Sequence, residues 1–155
     1  MHENHGLHDS VEVTTVRSEF LDGIYEIECQ SFIDPYPFQV FVVLAGRTPE
    51  TFLVAVSANV VVGYVLASLD EDIGHILSIA VRLDFRGRGL GSRMMIEMLE
   101  TLRRKGTRFT ELEVRISNRK AVEFYKKFGF KVVGHVKRYY RDGEDAVRMT
   151  RKVSQ

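Results

Sequence analysis

The residues with the sharpest chemical signature are Arg86-Gly87-Arg88-Gly89-Leu90-Gly91, which lie between an apolar run, His75–Val81, and a helical pattern. Glycine lets a backbone approach a ligand closely, and the first turn of a helix presents unpaired N–H groups. A strand, a glycine-rich turn and a helix N-terminus together therefore make an anion site. Arg82, Arg86, Arg88 and Arg93 surround this one with positive charge, although a tight turn with a solvated arginine face has the same composition. A P-loop is excluded, because it needs Gly-Lys followed by Ser or Thr. A dinucleotide fingerprint needs its strand to run directly into Gly-x-Gly-x-x-Gly. Here four residues separate Val81 from Arg86, and Met94 stands where the third glycine would fall. Only an acid about twenty residues on, Glu111 or Glu113, speaks for that reading.

Other reactive residue types are sparse. Cys29 is the only cysteine, which excludes an internal disulfide and a cysteine-based zinc cluster and fits a reducing, cytoplasmic setting. Taken by itself it reads as a buried core residue. His2, His5 and His8 lie in a polar stretch with no fixed frame, so residues 1–10 read as a mobile tail, not a metal site.

The elements that must position these groups follow from periodicity and breakers. Val11–Val16 alternates as a strand. Ser18 is placed to cap a helix over Glu19–Phe32. Asp34-Pro35-Tyr36-Pro37 breaks the chain, since each proline pushes its predecessor out of the helical region. A short helix over Phe38–Leu44 follows. Thr51–Ser57 and Val60–Leu69 are strands joined at Ala58-Asn59, and His75–Val81 is the next strand. The helix opened by the glycine turn runs to about Lys105. Its stripe of Leu90, Met94, Met98 and Leu102 reads as core. Then come a strand over Thr110–Ile116, a helix capped by Ser117 or Asn118 and ending at Phe128-Gly129, and strands over Lys131–Tyr140 and Asp145–Val153 around Asp142-Gly143. The order β-α-α-β-β-β-α-β-α-β-β, without repeat or linker, predicts one mixed α/β domain over residues 11–155.

Composition bounds the function. The chain has 155 residues, enough for one domain and one core. A formal net charge of +1 excludes a basic nucleic-acid tail or an acidic disordered segment as the whole-chain reading. No apolar run reaches the roughly 18 residues of a membrane span, and the start lacks the order of a signal peptide. The small total conceals a split. Residues 1–72 carry twelve acids and two bases, whereas residues 73–155 carry nine acids and twenty bases. Two oppositely charged ligands meeting on one domain would match this asymmetry.

Three groups of residues carry a family resemblance. Arg86-x-x-Gly89-x-Gly91 resembles the pyrophosphate signature of the GCN5-related N-acetyltransferases (GNAT). Asn118-x-x-Ala121-x-x-x-Tyr125-x-x-x-Gly129-Phe130 resembles that family's later motif, and the order of elements over about residues 11–153 is similar throughout. More narrowly, His75–Val81 and Tyr139-Tyr140-Arg141-Asp142-Gly143-Glu144-Asp145-Ala146 resemble protein N-terminal α-amine acetyltransferases of the archaeal type, related to the NatA catalytic subunit and to RimI. The resemblance implies a central sheet of about seven strands with flanking helices, and acetyl-CoA held between splayed strands at His75–Val81 and Thr110–Ile116. Pantetheine would pair with Ile79, Ala80 and Val81. Pyrophosphate would sit on Arg86 and the amides of Gly87, Arg88, Gly89, Leu90, Gly91 and Ser92. Asn118 would bond the cofactor arm, cap its helix, or do both.

The implied reaction is direct acetyl transfer to an amine, with no covalent enzyme intermediate. An α-amine with a pKa of about 7.7–8.0 needs only roughly 1–1.4 kcal/mol to become neutral at pH 7, against roughly 4.6 kcal/mol for lysine. A weak base acting through water therefore suffices. The resemblance ranks His75 first and Asp34 second, because the archaeal relatives carry the longer Glu at the Asp34 position. Tyr125 is the implied general acid and also adjoins the cofactor, while Tyr36, Tyr139 and Tyr140 would hold the peptide. Each also has an ordinary packing alternative. Implied partners are protein or peptide N-termini, with ribosome association as an extension, no membrane and no specific nucleic acid. A small-molecule amine or a lysine side chain is the alternative acceptor. Arg103-Arg104-Lys105 and Arg115, Arg119 and Lys120 supply charge for a nucleic-acid module, but no RNA-binding aromatic signature accompanies them.

The charge split yields a first prediction. The KM for a basic peptide rises with salt more steeply than the KM for an acidic one, because screening weakens attraction to the negative half. Steady-state kinetics at two ionic strengths check this, and identical responses would refute it.

Overall fold

The computed structural model describes residues 10–153; the expected tail lies outside them, apart from Ser10. Seven strands form one sheet. They are β1 (Glu12–Thr15), β2 (Phe52–Ser57), β3 (Val60–Asp70), β4 (Ile73–Val81), β5 (Phe109–Arg115), β6 (Lys131–Val136) and β7 (Ala146–Lys152), in the order β1-β2-β3-β4-β5-β7-β6. Every neighbouring pair is antiparallel except β4 and β5. The β2–β3 hairpin is tight because Ala58 and Asn59 both take left-handed φ, +48° and +65°, which matches the twist of the flanking strands. The parallel pair needs a crossover, which α3 (Leu90–Arg104) supplies.

The remaining helices are α1 (Leu21–Ser31), α2 (Phe38–Arg47) and α4 (Arg119–Lys126). Helices α1 and α2 cover one face of the sheet, packing Ile24, Ile27 and Phe41 against Phe52, Val54, Tyr64, Leu66 and Ala80. Helix α3 covers the other face and buries Met94, Met95, Met98 and Leu102 against Val65, Ala67, Ile76, Leu112 and Met149. The expected methionine stripe is therefore core, and each such side chain contributes about 1.5–3 kcal/mol on burial.

Three expectations about local structure need correction. Ser18 does not cap α1: it opens a 3-10 turn, Ser18–Phe20, in which the cap position falls to Arg17 without a side-chain bond. Cys29 is exposed, because it sits one residue past the buried pair Ile27 and Glu28 on α1. The last two strands are shorter than their alternation suggests. They end at Val136 and begin at Ala146 because Arg138 takes φ +53° and its N–H donates to the Asp145 carboxylate, which ends the ladder.

One irregularity positions the site. Leu66 faces Ser78 and Ala67 faces Ile76, so Leu77 has no cross-strand partner and β4 carries a bulge. A bulge shifts the alternation by one residue. Ile76 thus packs towards α3, Leu77 and Ser78 both face the α1 side, and Ile79 and Val81 return to the α3 side.

Gly63 lies opposite the end of β4, where a Cβ would stand 2.9 Å from Met94 Cε and 3.1 Å from the Ala80 carbonyl oxygen. We expect Gly63→Ala to lower unfolding free energy by about 1–3 kcal/mol in urea denaturation. An unchanged midpoint would show that the sheet yields there.

Candidate active site

Strands β4 and β5 pair only through Ile73–His75 and Phe109–Glu111. Beyond those three pairs they part, and a cavity of about 800 Å³ opens between them. One edge of β4 remains bonded to β3, whereas the backbone of Ile79, Ala80 and Val81 lines the opening. Arg86, Gly87, Gly89, Leu90, Gly91, Ser92 and Asn118 line the same cavity. So do Asp34, Tyr36, Tyr125, Tyr139 and Tyr140. Of the residues proposed for catalysis or binding, His75 and Arg88 do not line it, and neither do Arg82 and Arg93 of the arginine group.

At one end lies the glycine turn. Gly87 and Gly89 take φ +76° and +78°, a conformation that side chains with a Cβ rarely adopt, and Gly89 is the residue from which α3 begins. The turn therefore aims the first amides of α3 into the cleft. The arginines do other work than surrounding it with free charge. Arg82 is paired with Asp84 at 2.7 Å. Arg86 braces the turn, donating from Nε to the Val81 carbonyl at 2.8 Å and from Nη2 to Ser31 Oγ at 3.2 Å. Arg88 lies over the Phe85 ring, and Arg93 donates to the Val11 carbonyl. Asn118 caps α4, its Oδ1 accepting from the Ala121 N–H at 3.1 Å.

At the other end stands a dyad that the sequence only half disclosed. His75 Nε2 lies 2.5 Å from Glu113 Oε2, and Arg148 Nε donates to Glu113 Oε1 at 3.1 Å. Glu113 lines the cavity while His75 stands behind it. The hydrogen bond with Glu113 raises the imidazole above its ordinary value of 6.5 and outweighs the opposing effect of burial. Burial alone would push the Glu113 carboxyl up, but the bonds from His75 and Arg148 hold it below the usual range. Tyr125 reaches the cleft from α4, packed against Phe124 and Phe130, and burial pushes its phenol up to about 12. Asp34 is exposed at the mouth of the cleft, and its side chain has no hydrogen bond among the described residues.

The mouth of the cleft is bounded by the α1–α2 turn and the loop between β6 and β7. Tyr36 is pushed up to about 12, first by burial and then by the charge of Tyr139, and both side chains line the cavity. Behind Tyr36 is Glu28, 2% exposed, which sequence reading overlooked. Its Oε1 accepts from the Tyr36 N–H at 3.2 Å. Its Oε2 accepts from the Tyr64 hydroxyl and from Ser78 Oγ, the latter at 2.8 Å. One carboxylate thus ties α1, β3, the β4 bulge and the α1–α2 turn together. Its signal was a glutamate four residues after Ile24 on a buried stripe. Glu113 had a clearer one: strict alternation along β5 puts Glu111, Glu113 and Arg115 on one face and Leu112 and Val114 on the other.

These features fit an acyl-CoA: a free strand edge for an extended amide arm, helix amides for the pyrophosphate, and a polar dyad where the arm ends. Fold and site together define a transferase that draws an acylated thiol arm into a split sheet. The model of the acetyltransferase (GNAT) family matches residues 21–130, and the chain belongs to that family. It is an acetyltransferase, and acetyl-CoA is the cosubstrate of the family. A protein of Bacillus subtilis named for alanine N-acetylation of ribosomal protein bS18 is 36% identical over 139 residues, covering 88% of this chain and 92% of its own. An N-alpha-acetyltransferase of Sulfolobus acidocaldarius is 35% identical over 144 residues, covering 83% and 84%. The crystal structure of Ard1 from Thermoplasma volcanium superposes with a TM-score of 0.89 at 31% identity, covering 94% of this chain and 99% of the other.

The dyad has a pH signature. A raised His75 value means that its contribution to stability is complete below about 6.5 and fades as pH climbs through the folded-state value. NMR titration of the His75 ring should give a midpoint above 6.5, falling in Glu113→Gln because the largest raising influence is lost while burial and Arg148 still lower it. A midpoint that stays put in the variant would refute the coupling.

Proposed function

We propose that this enzyme acetylates the α-amino group of protein or peptide N-termini. The observation that carries the reading is that Tyr36, Tyr139 and Tyr140 line the same cavity as Glu113 of the dyad, so aromatic faces and hydroxyls suited to a peptide backbone stand beside the group suited to take the amine proton. The names of the Sulfolobus and Bacillus relatives agree with it.

Bound acetyl-CoA supplies an acyl carbon activated as a thioester. The Glu113–His75 dyad takes the proton that the α-ammonium gives up. With one proton already shared in its hydrogen bond, the pair carries a single negative charge and titrates as a unit. Asp34, exposed at the mouth, suits capture of the ammonium better than deprotonation. Backbone N–H groups near Ile79–Val81 face the site where charge gathers on the acyl oxygen. A carbon–nitrogen bond forms as the carbon–sulfur bond breaks. Tyr125 then protonates the departing thiolate; burial that pushes the phenol up to about 12 raises the proton affinity of a thiolate in the same dry cleft in the same direction, so donor and acceptor stay matched. His75, first in rank by sequence, acts from behind Glu113 in this scheme.

The reading extends to setting and partners. Among the described residues no helix is long and apolar enough to cross a membrane, and the lone cysteine suits a cytoplasmic site. Association with the ribosome agrees with the name of the Bacillus relative and with the exposed bases Arg119, Lys120, Lys137, Arg138 and Arg141. One catalytic domain from residue 11 onward is the organisation it uses.

The test is release of CoA from acetyl-CoA with a panel of peptides. We expect turnover with a free α-amine and none with an N-terminally blocked, lysine-containing peptide; equal rates would overturn the assignment. Glu113→Gln and Tyr125→Phe should each lower kcat by about 10²–10⁴-fold, and undiminished rates in both would remove the assigned chemistry.

A further inference from the structure

The acids of Asp142-Gly143-Glu144-Asp145 take no part in the mechanism, yet all three are engaged. Asp145 receives the Arg138 N–H at 2.9 Å and lies 2.7 Å from His135 Nε2. Asp142 Oδ2 and Glu144 Oε1 both accept from Arg115 Nη1 at 2.8 Å. Their other oxygens are used as well: Asp142 Oδ1 accepts from the Glu144 N–H and Glu144 Oε2 from the Ser117 N–H, each at 3.0 Å. The Arg115 guanidinium also lies 4.1 Å from the centre of the Tyr140 ring, which stacks edge-on against Tyr139. Arg115 is the last residue of β5, beyond the part paired with β4, it lines the cavity, and only 16% of its side chain is exposed.

We propose that Arg115 is the positioning residue of the peptide-side loop, and that through Asp142, Glu144 and Tyr140 it sets the preference for a chain end over an internal lysine. The specificity half of this inference rests on the function proposed above. The physical case is that two carboxylates sharing one nitrogen lie within a few ångströms of each other. With the guanidinium they close a circuit from β5 to the loop and to the turn before α4. Without it they repel, and the turn that carries Tyr139 and Tyr140 is pried from the cleft. A planar fork that stacks and bonds at once is not replaced by lysine.

The experiment uses the full chain, with Arg115→Gln, Glu144→Gln, and the combined Arg115→Gln/Asp142→Asn/Glu144→Gln. Arg115→Gln should raise peptide KM about tenfold while the KM for acetyl-CoA and kcat stay close to wild type. It should also raise the rate on the blocked lysine peptide relative to the free N-terminus. Glu144→Gln, which removes half of the grip, should move both quantities in the same direction by less. Hydrogen exchange of the Tyr140 and Gly143 amides should accelerate in Arg115→Gln. The combined variant should recover part of both effects, because it removes the repulsion as well as the cation; loss of packing alone would not recover. Unchanged exchange in Arg115→Gln would overturn the positioning role whatever the substrate. Faster exchange with unchanged peptide selectivity would overturn the specificity role. Wild-type enzyme that ignores free N-termini would instead refute the functional reading, with the exchange result still deciding the clamp.

Discussion

Two parallel strands that pair for three residues and then separate set the plan of the whole molecule. Strands β4 and β5 point the same way, so each is followed by a helix that starts at the same end of the sheet. Both helix N-termini, with their unpaired amides, thus border one opening. Antiparallel strands could not have arranged this, since their exits lie at opposite ends. The bulge at Leu77 adds the second requirement. By spending one residue it turns Ser78 towards Glu28 while Ile79 and Val81 face the other way, so the free edge of β4 and its polar anchor occupy consecutive residues.

The split also exposes the sheet interior to charge, and the energetics of that charge explain the surrounding side chains. A carboxylate withdrawn from water costs several kcal/mol unless hydrogen bonds replace its hydration. Glu28 has three donors, the Tyr36 N–H and the Tyr64 and Ser78 hydroxyls, which take the place of water around its buried oxygens. Glu113 is bonded on both oxygens, to a histidine on one side and an arginine on the other. Arg115 satisfies two acids at once. The cleft is therefore polar without being loose.

The order and kind of the seven strands and four α-helices were legible in the sequence, and so was the glycine turn, because these depend on local periodicity and on φ values that few residues adopt; the short 3-10 turns were not. The candidate residues that line the cavity were legible too, through a resemblance whose motifs mark them. What could not be read locally was which side chain meets which. Glu28 and Ser78 are fifty residues apart, and His75 and Glu113 thirty-eight, and each pair depends on strand order and on a one-residue bulge. Ser18 failed as a cap for a similar reason: the 3-10 turn buries Phe20, and that packing set the start of α1. Composition shows four arginines near the turn as charge, whereas the geometry makes Arg86 and Arg93 braces and engages Arg82 and Arg88 with Asp84 and Phe85.

The exposed thiol has a practical consequence. Cys29 is the only cysteine in the chain, it faces solvent, and its neighbour in sequence is the carboxylate that anchors the α1–α2 turn. A maleimide dye attached there labels a single defined position without any engineered residue. Its emission would report movement at the end of α1 as substrates arrive, giving this enzyme a built-in optical reporter.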